Sequence, residues 1–266
     1  MNTRLRLLAL LPPLVAAALP ARAVLIAEDF NGYAAGTNIT RDLTANDGFG
    51  PGANGLWVSG WRSANSNVTV SAEILNARPL SKSSGNYLSG TITTGAANAS
   101  LNSGSFGRPY DITANSLAKA PFKVSFDFRA DAASEKLRFD LYDNAGRAPN
   151  ANGASWQLIA RDGFWHVRNG RVETATLLPF ATGVRYAVSI EVDPVAFKWS
   201  VVIDNGTAKA AVDNLDFRQP AFSADTGLSS AGGRWFMVGA GEITEAGADT
   251  AAFSLDNISI SSTGTP

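Results

Sequence analysis

The sequence predicts an all-β protein, a two-sheet antiparallel β-sandwich held in one large domain. Three observations predict it. Apolar and polar residues alternate with period two through the second half of the chain. Asp-Gly and Asn-Gly pairs stand between the alternating runs, where hairpins need residues that tolerate positive φ. No segment carries a sustained helical period.

The first segment reads apart from the fold. Arg4 and Arg6 precede an apolar run from Leu7 to Leu19, and Ala21-Arg22-Ala23 has the form of a cleavage site. Residues 1–23 are therefore expected to be a secretory signal peptide. The run is shorter than the roughly 20 apolar residues that a membrane span needs. The expected product is an exported, soluble domain, residues 24–266, with a short polar tail after Ile260. It would reside outside the cell, in the periplasm or at the cell surface.

Along that domain, Thr40 to Ser66 is rich in Gly, Asn and Ser, holds Trp57 and Trp61, and reads as a long loop. Val68–Glu73 and Tyr87–Ile92 read as strands, and Gly95 to Gly107 as a small-residue stretch. From Phe122 the alternation is clear: Phe122, Val124, Phe126 and Phe128 on one face, Lys123, Ser125, Asp127 and Arg129 on the other. Leu137 to Tyr142 and Trp156 to Arg161 repeat it. Asp162-Gly163 then turns the chain into Phe164–Arg168, and Asn169-Gly170 into Arg171–Thr176. Tyr186–Asp193 and Phe197–Asp204 alternate in turn, and Asn205-Gly206 leads to Ala208–Val212. Arg234–Ala240 and Phe253–Ile260 close the series, with a face shift at Asp256-Asn257 that reads as a bulge. Leu117–Lys119 and Asn214–Arg218 read as short helical turns.

Composition excludes several functions. The 266 residues contain no Cys and one His, so neither a thiolate site nor a polyhistidine metal site can form. The formal net charge is -1 and charged residues are 17%, which argues against a nucleic-acid footprint. Removing residues 1–23 takes away Arg4, Arg6 and Arg22 and no acid, so 19 basic side chains face 23 acidic ones, a net charge of -4. An anionic polymer is then a less natural partner unless arginines cluster locally.

Two stretches resemble a known family. Glu28-Asp29-Phe30-Asn31-Gly32-Tyr33-Ala34-Ala35-Gly36-Thr37 is similar to the opening, and Phe253-Ser254-Leu255-Asp256-Asn257-Ile258-Ser259-Ile260 to the closing strand, of secreted bacterial concanavalin A-like (LamG-like) jelly-roll domains. The resemblance implies that the first and last strands lie side by side. It implies a fold that hosts lectins, carbohydrate-binding modules, glycoside hydrolases, polysaccharide lyases and non-catalytic surface proteins, so function must be argued from the site. It also implies a structural calcium ion at the juxtaposed termini, with Glu28, Asp29, Asn31 and Asp256 as its oxygen donors.

Catalytic motifs of that family are incomplete here. The laminarinase-type E-x-D-x-x-E is only begun by Glu191-Val192-Asp193, with Ala196 at the last position. Glu242 and Glu245 stand in a Gly-rich context that reads as loop. Neither the R-x-E-x-R nor the Q-x-H of alginate-lyase-type members occurs, and the single His166 reads as a half-exposed strand residue. No catalytic residue is assigned.

Sugar binding needs an aromatic platform with polar groups around it. Trp57 and Trp61 are the tryptophans outside any core period, whereas Trp156 and Trp199 follow one. Asp127, Arg129, Arg138, Asp140, Tyr142, Gln157 and Arg161 would line one sheet face if their three strands are neighbours. The expected partner is a polysaccharide or surface glycan, bound without catalysis. A polysaccharide-degrading enzyme and an adhesion protein with no small ligand are the alternatives. The enzyme predicts clustered carboxylates, or His166 beside Tyr and Arg; the adhesion protein predicts a featureless sheet and buried Trp57 and Trp61.

Overall fold

A computed structural model describes residues 24–39, 57–58, 60–66, 68–80, 85–94, 102–113, 117–133, 137–147, 151–223, 233–243 and 249–263. The expected signal peptide and most of the Thr40–Ser66 region lie outside them. Fifteen strands are described. The first seven are β1 (Val24–Glu28), β2 (Arg62–Ser66), β3 (Val68–Leu75), β4 (Tyr87–Thr94), β5 (Asn102–Asp111), β6 (Phe122–Ala132) and β7 (Arg138–Asn144). Then come β8 (Gln157–Arg161), β9 (Phe164–Asn169), β10 (Val172–Pro179) and β11 (Arg185–Asp193). β12 (Lys198–Asp204), β13 (Lys209–Asp216), β14 (Gly233–Ile243) and β15 (Asp249–Ser262) complete the series.

The strands form two antiparallel sheets. The first runs β13-β12-β11-β6-β15-β4-β3, with β1 against the later half of β15; the second runs β10-β9-β8-β7-β14-β5-β2. Glu28 pairs with Ile258, so the first and last strands do lie side by side. Inward faces carry the apolar period: Phe122, Val124, Phe126 and Phe128 of the first sheet meet Phe139, Leu141, Trp156, Trp165 and Phe236 of the second. Phe128 contacts the rings of Phe139, Trp165 and Phe253 edge-on or stacked, at 5.5, 5.7 and 6.3 Å.

Turn chemistry is as expected at Asp162-Gly163, where φ is 52° and 75°, the two positive values of a type I′ turn. The next hairpin is shifted by one residue: Asn169 pairs with Val172, so Gly170 and Arg171 make the turn and Gly170 takes the positive φ of 57°. The bulge at Asp256-Asn257 is present. Two residues of β15 stand between the pairs Asp256–Asp127 and Ser259–Ser125, against one of β6, and Asn257 has φ 52°.

Three expectations are corrected. Leu117–Lys119 is a plain turn, and no helix occurs among the described residues. Asn214 to Asp216 continues β13, where a register irregularity with Asn214 at φ 59° breaks the alternation that a short helix would also break. The small-residue stretch contains the start of β5, and Arg62–Ser66, read as loop, pairs with it. Small size there is a packing demand. A Cβ on Gly107 would lie 2.2 Å from Met237 Sδ and 2.3 Å from the Phe236 carbonyl oxygen.

Gly90 shows the same constraint in the core. It pairs with Phe253, whose ring lies 2.2 Å from where a Cβ would stand. Gly90→Ala is expected to lower stability by about 1–3 kcal/mol, the usual range for overpacking. A denaturant midpoint unchanged from the parent would contradict this.

Two buried ion pairs interrupt the apolar interior. Asp143 and Arg234, both fully buried, meet at 2.6 Å. Near β1, Glu28 accepts from Arg108 at 2.8 Å and from the Tyr33 hydroxyl at 3.1 Å. Burial pushes the Glu28 carboxyl up from its usual range, and the charge of Arg108 only partly offsets this.

Candidate functional site

The outer face of the second sheet carries the densest polar arrangement. Residues that alternate with the core point there: Arg138, Asp140 and Tyr142 of β7, Gln157, Ile159 and Arg161 of β8, Phe164, His166 and Arg168 of β9, and Glu173 and Ala175 of β10. Antiparallel register sets them side by side. Asp140 pairs with Ile159 and Ile159 with His166; Arg161 pairs with Phe164, and Arg168 with Glu173.

Glu173 is the hub of this face. Its carboxylate lies 2.8 Å from Arg161 Nε, 3.0 Å from Arg168 Nη2, 3.6 Å from Arg138 Nη1 and 3.4 Å from His166 Nδ1. Asp140 binds Arg138 Nε at 3.2 Å and accepts from Gln157 Nε2 at 2.9 Å. Gln157 in turn accepts from Arg218, which also donates to Asn152 at 2.7 Å. The arginine planes are thus held in place before any ligand arrives, which lowers the entropic cost of binding.

The strip ends in a cavity of about 660 Å³ beside Asn152, Arg168, Arg171, Arg218 and Gln219. That size lies within the range of small-ligand pockets, about 300–1,000 Å³. Phe164, on the same face, is 41% exposed. It is the exposed aromatic ring that this face offers among the described residues.

Of the residues singled out from the sequence, Arg138, Asp140, Gln157 and Arg161 do share this face. Asp127 and Arg129 do not. β6 lies between β11 and β15 in the first sheet, so both side chains project from the opposite side of the sandwich. Asp127 binds Arg185 at 2.7 Å and Asn257; Arg129 binds Asp131, the Arg78 carbonyl and Ser254, and lies over the Tyr87 ring. Strand alternation is identical whichever strand lies alongside, so it could not reveal this separation.

Tyr142 is on the right face but buried, in a small apolar cluster with Ala64, Ala151, Ala154, Trp235 and Met237. Burial pushes its phenol well above the usual tyrosine range. Trp57 and Trp61 are corrected too: both are buried, at 3% and 0% exposure. Trp61 stacks on Phe106 at 5.2 Å and Trp57 lies under Arg108. They plug the sandwich beside Phe30, and all six tryptophans are buried. An aromatic platform built on tryptophan is therefore absent.

The calcium donors do not converge. Glu28 is taken by Arg108 and Tyr33, Asp29 Oδ1 accepts from the Asn31 amide, Asn31 Oδ1 accepts from the Asn86 amide, and Asp256 Oδ1 accepts from the Asn257 amide. Among the described residues no group of three or more His, Asp or Glu is placed to hold a metal ion. The side chain of Glu242 and all of Glu245 lie outside the described residues.

Sequence reasoning missed Phe164, Arg168, Arg171, Glu173 and Arg218, and set His166 aside. A signal for Glu173 existed: a two-residue turn at Gly170-Arg171 places it opposite Arg168. Glu173→Gln would leave three guanidinium groups with less counter-charge. The face is partly solvated, so the expected loss is about 1 kcal/mol, read as a lower melting temperature that added salt restores in part. A variant as stable as the parent at low salt would show that the hub is not stabilising.

Among the described residues, no helix is long and apolar enough to cross a membrane. No protein-family model matches the chain, and no curated protein matches it. Solved structures do. A protein of unknown function from Shewanella oneidensis aligns over 88% of this chain and 90% of its own, with 12% identity and a TM-score of 0.50. The catalytic domain of a glycoside hydrolase family 131 protein from Coprinopsis cinerea aligns over 71% and 76%, with 15% identity and a TM-score of 0.49. A sialidase aligns over 76% of this chain but only 17% of its own, with 16% identity and a TM-score of 0.47. At such identities the similarity speaks to fold alone: the protein is a two-sheet antiparallel β-sandwich of jelly-roll type.

Proposed function

We propose that this protein is an exported, non-catalytic glycan-binding sandwich, and that the glycan lies along the outer face of its second sheet. One observation carries the reading. Arg138, Arg161, Arg168 and Gln157, held in fixed planes by Glu173 and Asp140, line a polar strip that leads from the exposed Phe164 into the cavity beside Arg218. Fixed guanidinium forks and amides suit the paired hydroxyls of a sugar, and an exposed ring suits its apolar face. The two carboxylates of the strip are both engaged by arginines, which favours binding over acid–base work. The arginine-lined face speaks against an adhesion module with a featureless sheet, whereas the burial of Trp57 and Trp61 is what that alternative expects.

The test is a glycan array with the purified domain, run beside assays for reducing ends and unsaturated products. Binding without product is the expected result. Product formation would make the protein an enzyme, and silence in every channel would remove the glycan reading. Sequencing the exported protein tests the leader, with Val24 expected at its start.

A further inference from the structure

The side chains around the cavity say more than that a sugar fits. Arg168, Arg171 and Arg218 line it, together with the neutral Asn152 and Gln219, and among the described residues no carboxylate does. Arg171 stands in the exposed Gly170-Arg171 turn, and its guanidinium has no ion pair among the described residues. Arg218 is anchored from one side by Gln157 at 2.9 Å and Asn152 at 2.7 Å. Arg168 is braced by Glu173 at the rear. Across the turn, Asp216 is taken by Lys198 at 2.5 Å. Over the whole face, among the described residues, five arginines stand with three acids, Asp140, Glu173 and the turn residue Asp162, and the ion pairs to those acids are made by Arg138, Arg161 and Arg168.

This concentration runs against the overall charge of the exported domain, which the sequence puts at -4. Three guanidinium groups lie around one cavity and of these Glu173 pairs with Arg168, so the lining favours an anion. Planar forks recognise carboxylate and sulfate oxygens two at a time.

We infer that the cavity takes an acidic sugar, its carboxylate or sulfate group seated among Arg168, Arg171 and Arg218. The inference rests on the glycan reading above and names the ligand class of that site. Phe164 and the Arg161 end of the strip would then carry the neighbouring sugar units, and the cavity the charged one.

Four probes test it by calorimetry: an oligouronate, a sulfated galactan oligosaccharide, a neutral β-glucan oligosaccharide, and single-stranded DNA as a bare polyanion. Parent protein is compared with Arg171→Ala, Arg218→Ala and the double variant. Arg171 lies in an exposed turn, so its variant keeps the test valid even if Arg218→Ala weakens the fold; melting curves check both. At least one acidic oligosaccharide is expected to bind tenfold or more tighter than the glucan and the DNA. Each single variant is expected to lose about tenfold, as a charge-assisted hydrogen bond contributes. Which acidic probe binds tells a carboxylate ligand from a sulfate one. Glucan or DNA bound as tightly as the acidic sugars, or acidic binding unchanged by Arg171→Ala, overturns the inference and leaves the glycan reading in place. No binding to any sugar overturns both.

Discussion

Asp143→Ala is expected to destabilise the protein by about 3–5 kcal/mol, as removal of one partner from a buried ion pair does. The carboxylate is fully buried and accepts from five donors. These are Arg234 Nε at 2.6 Å, the Ser155 amide and hydroxyl at 2.7 Å each, the Trp156 amide at 3.2 Å and the Tyr110 hydroxyl at 3.4 Å. Burial alone would lower the Arg234 pKa, but the charge and hydrogen bonds of Asp143 more than offset it, so the guanidinium stays ionised inside the sandwich. Truncation strands that charge. Arg234 also donates to the carbonyls of Gly153 and Ser223, so its displacement loosens the 151–155 loop that covers Tyr142 and borders the cavity. Against a typical total stability of about 5–15 kcal/mol, the loss is large. Urea unfolding measures it. The double change Asp143→Leu with Arg234→Met removes both charges and is expected to be less damaging than Asp143→Ala alone. A loss under about 1 kcal/mol for Asp143→Ala would refute the argument.

The second large effect is on binding. Arg161→Ala combined with Phe164→Ala is expected to weaken glycan affinity about 100-fold while changing stability by about 1 kcal/mol or less. The two residues pair directly across the Asp162-Gly163 turn, and each is about two-fifths exposed, Arg161 at 42% and Phe164 at 41%. A lost charge-assisted hydrogen bond contributes about 1.5–3 kcal/mol and a lost ring contact about 0.5–1.5 kcal/mol. With all six tryptophans buried, no larger ring is available to take over. Titration of the best array ligand against parent and variant checks this, with melting temperature as the control. Equal affinities at equal stability would move the site off this face.

Much of the secondary structure follows from local pattern. Phe122 to Phe128 alternate with Lys123 to Arg129, so a strand with one buried face is forced. Asp162-Gly163 can take two positive φ values at little cost, so a tight hairpin follows. The bulge at Asp256-Asn257 shows as a slipped alternation. Failures came where pattern and packing part. Gly104 and Gly107 look like loop residues, yet they sit in a strand because neighbouring side chains leave no room for a Cβ. Trp57 and Trp61 look exposed because no period surrounds them, yet they pack on each other and Trp61 on Phe30 and Phe106 in the interior.

The sequence by itself determined the all-β class, the two faces of the alternating strands and the Asp162-Gly163 turn, because each depends on residues close along the chain; β2, the start of β5 and the end of β13 it did not. Only the tertiary structure decided which faces join into a site. Backbone hydrogen bonds pair any strand with any other, so nothing local told Arg129 that β6 would cross to the first sheet. For the same reason Arg218, distant in sequence, could be found beside Gln157 and Arg168 only once the two sheets were assembled. The cationic strip is a product of that assembly: the arginines are scattered along the chain, and register alone gathers them around Glu173.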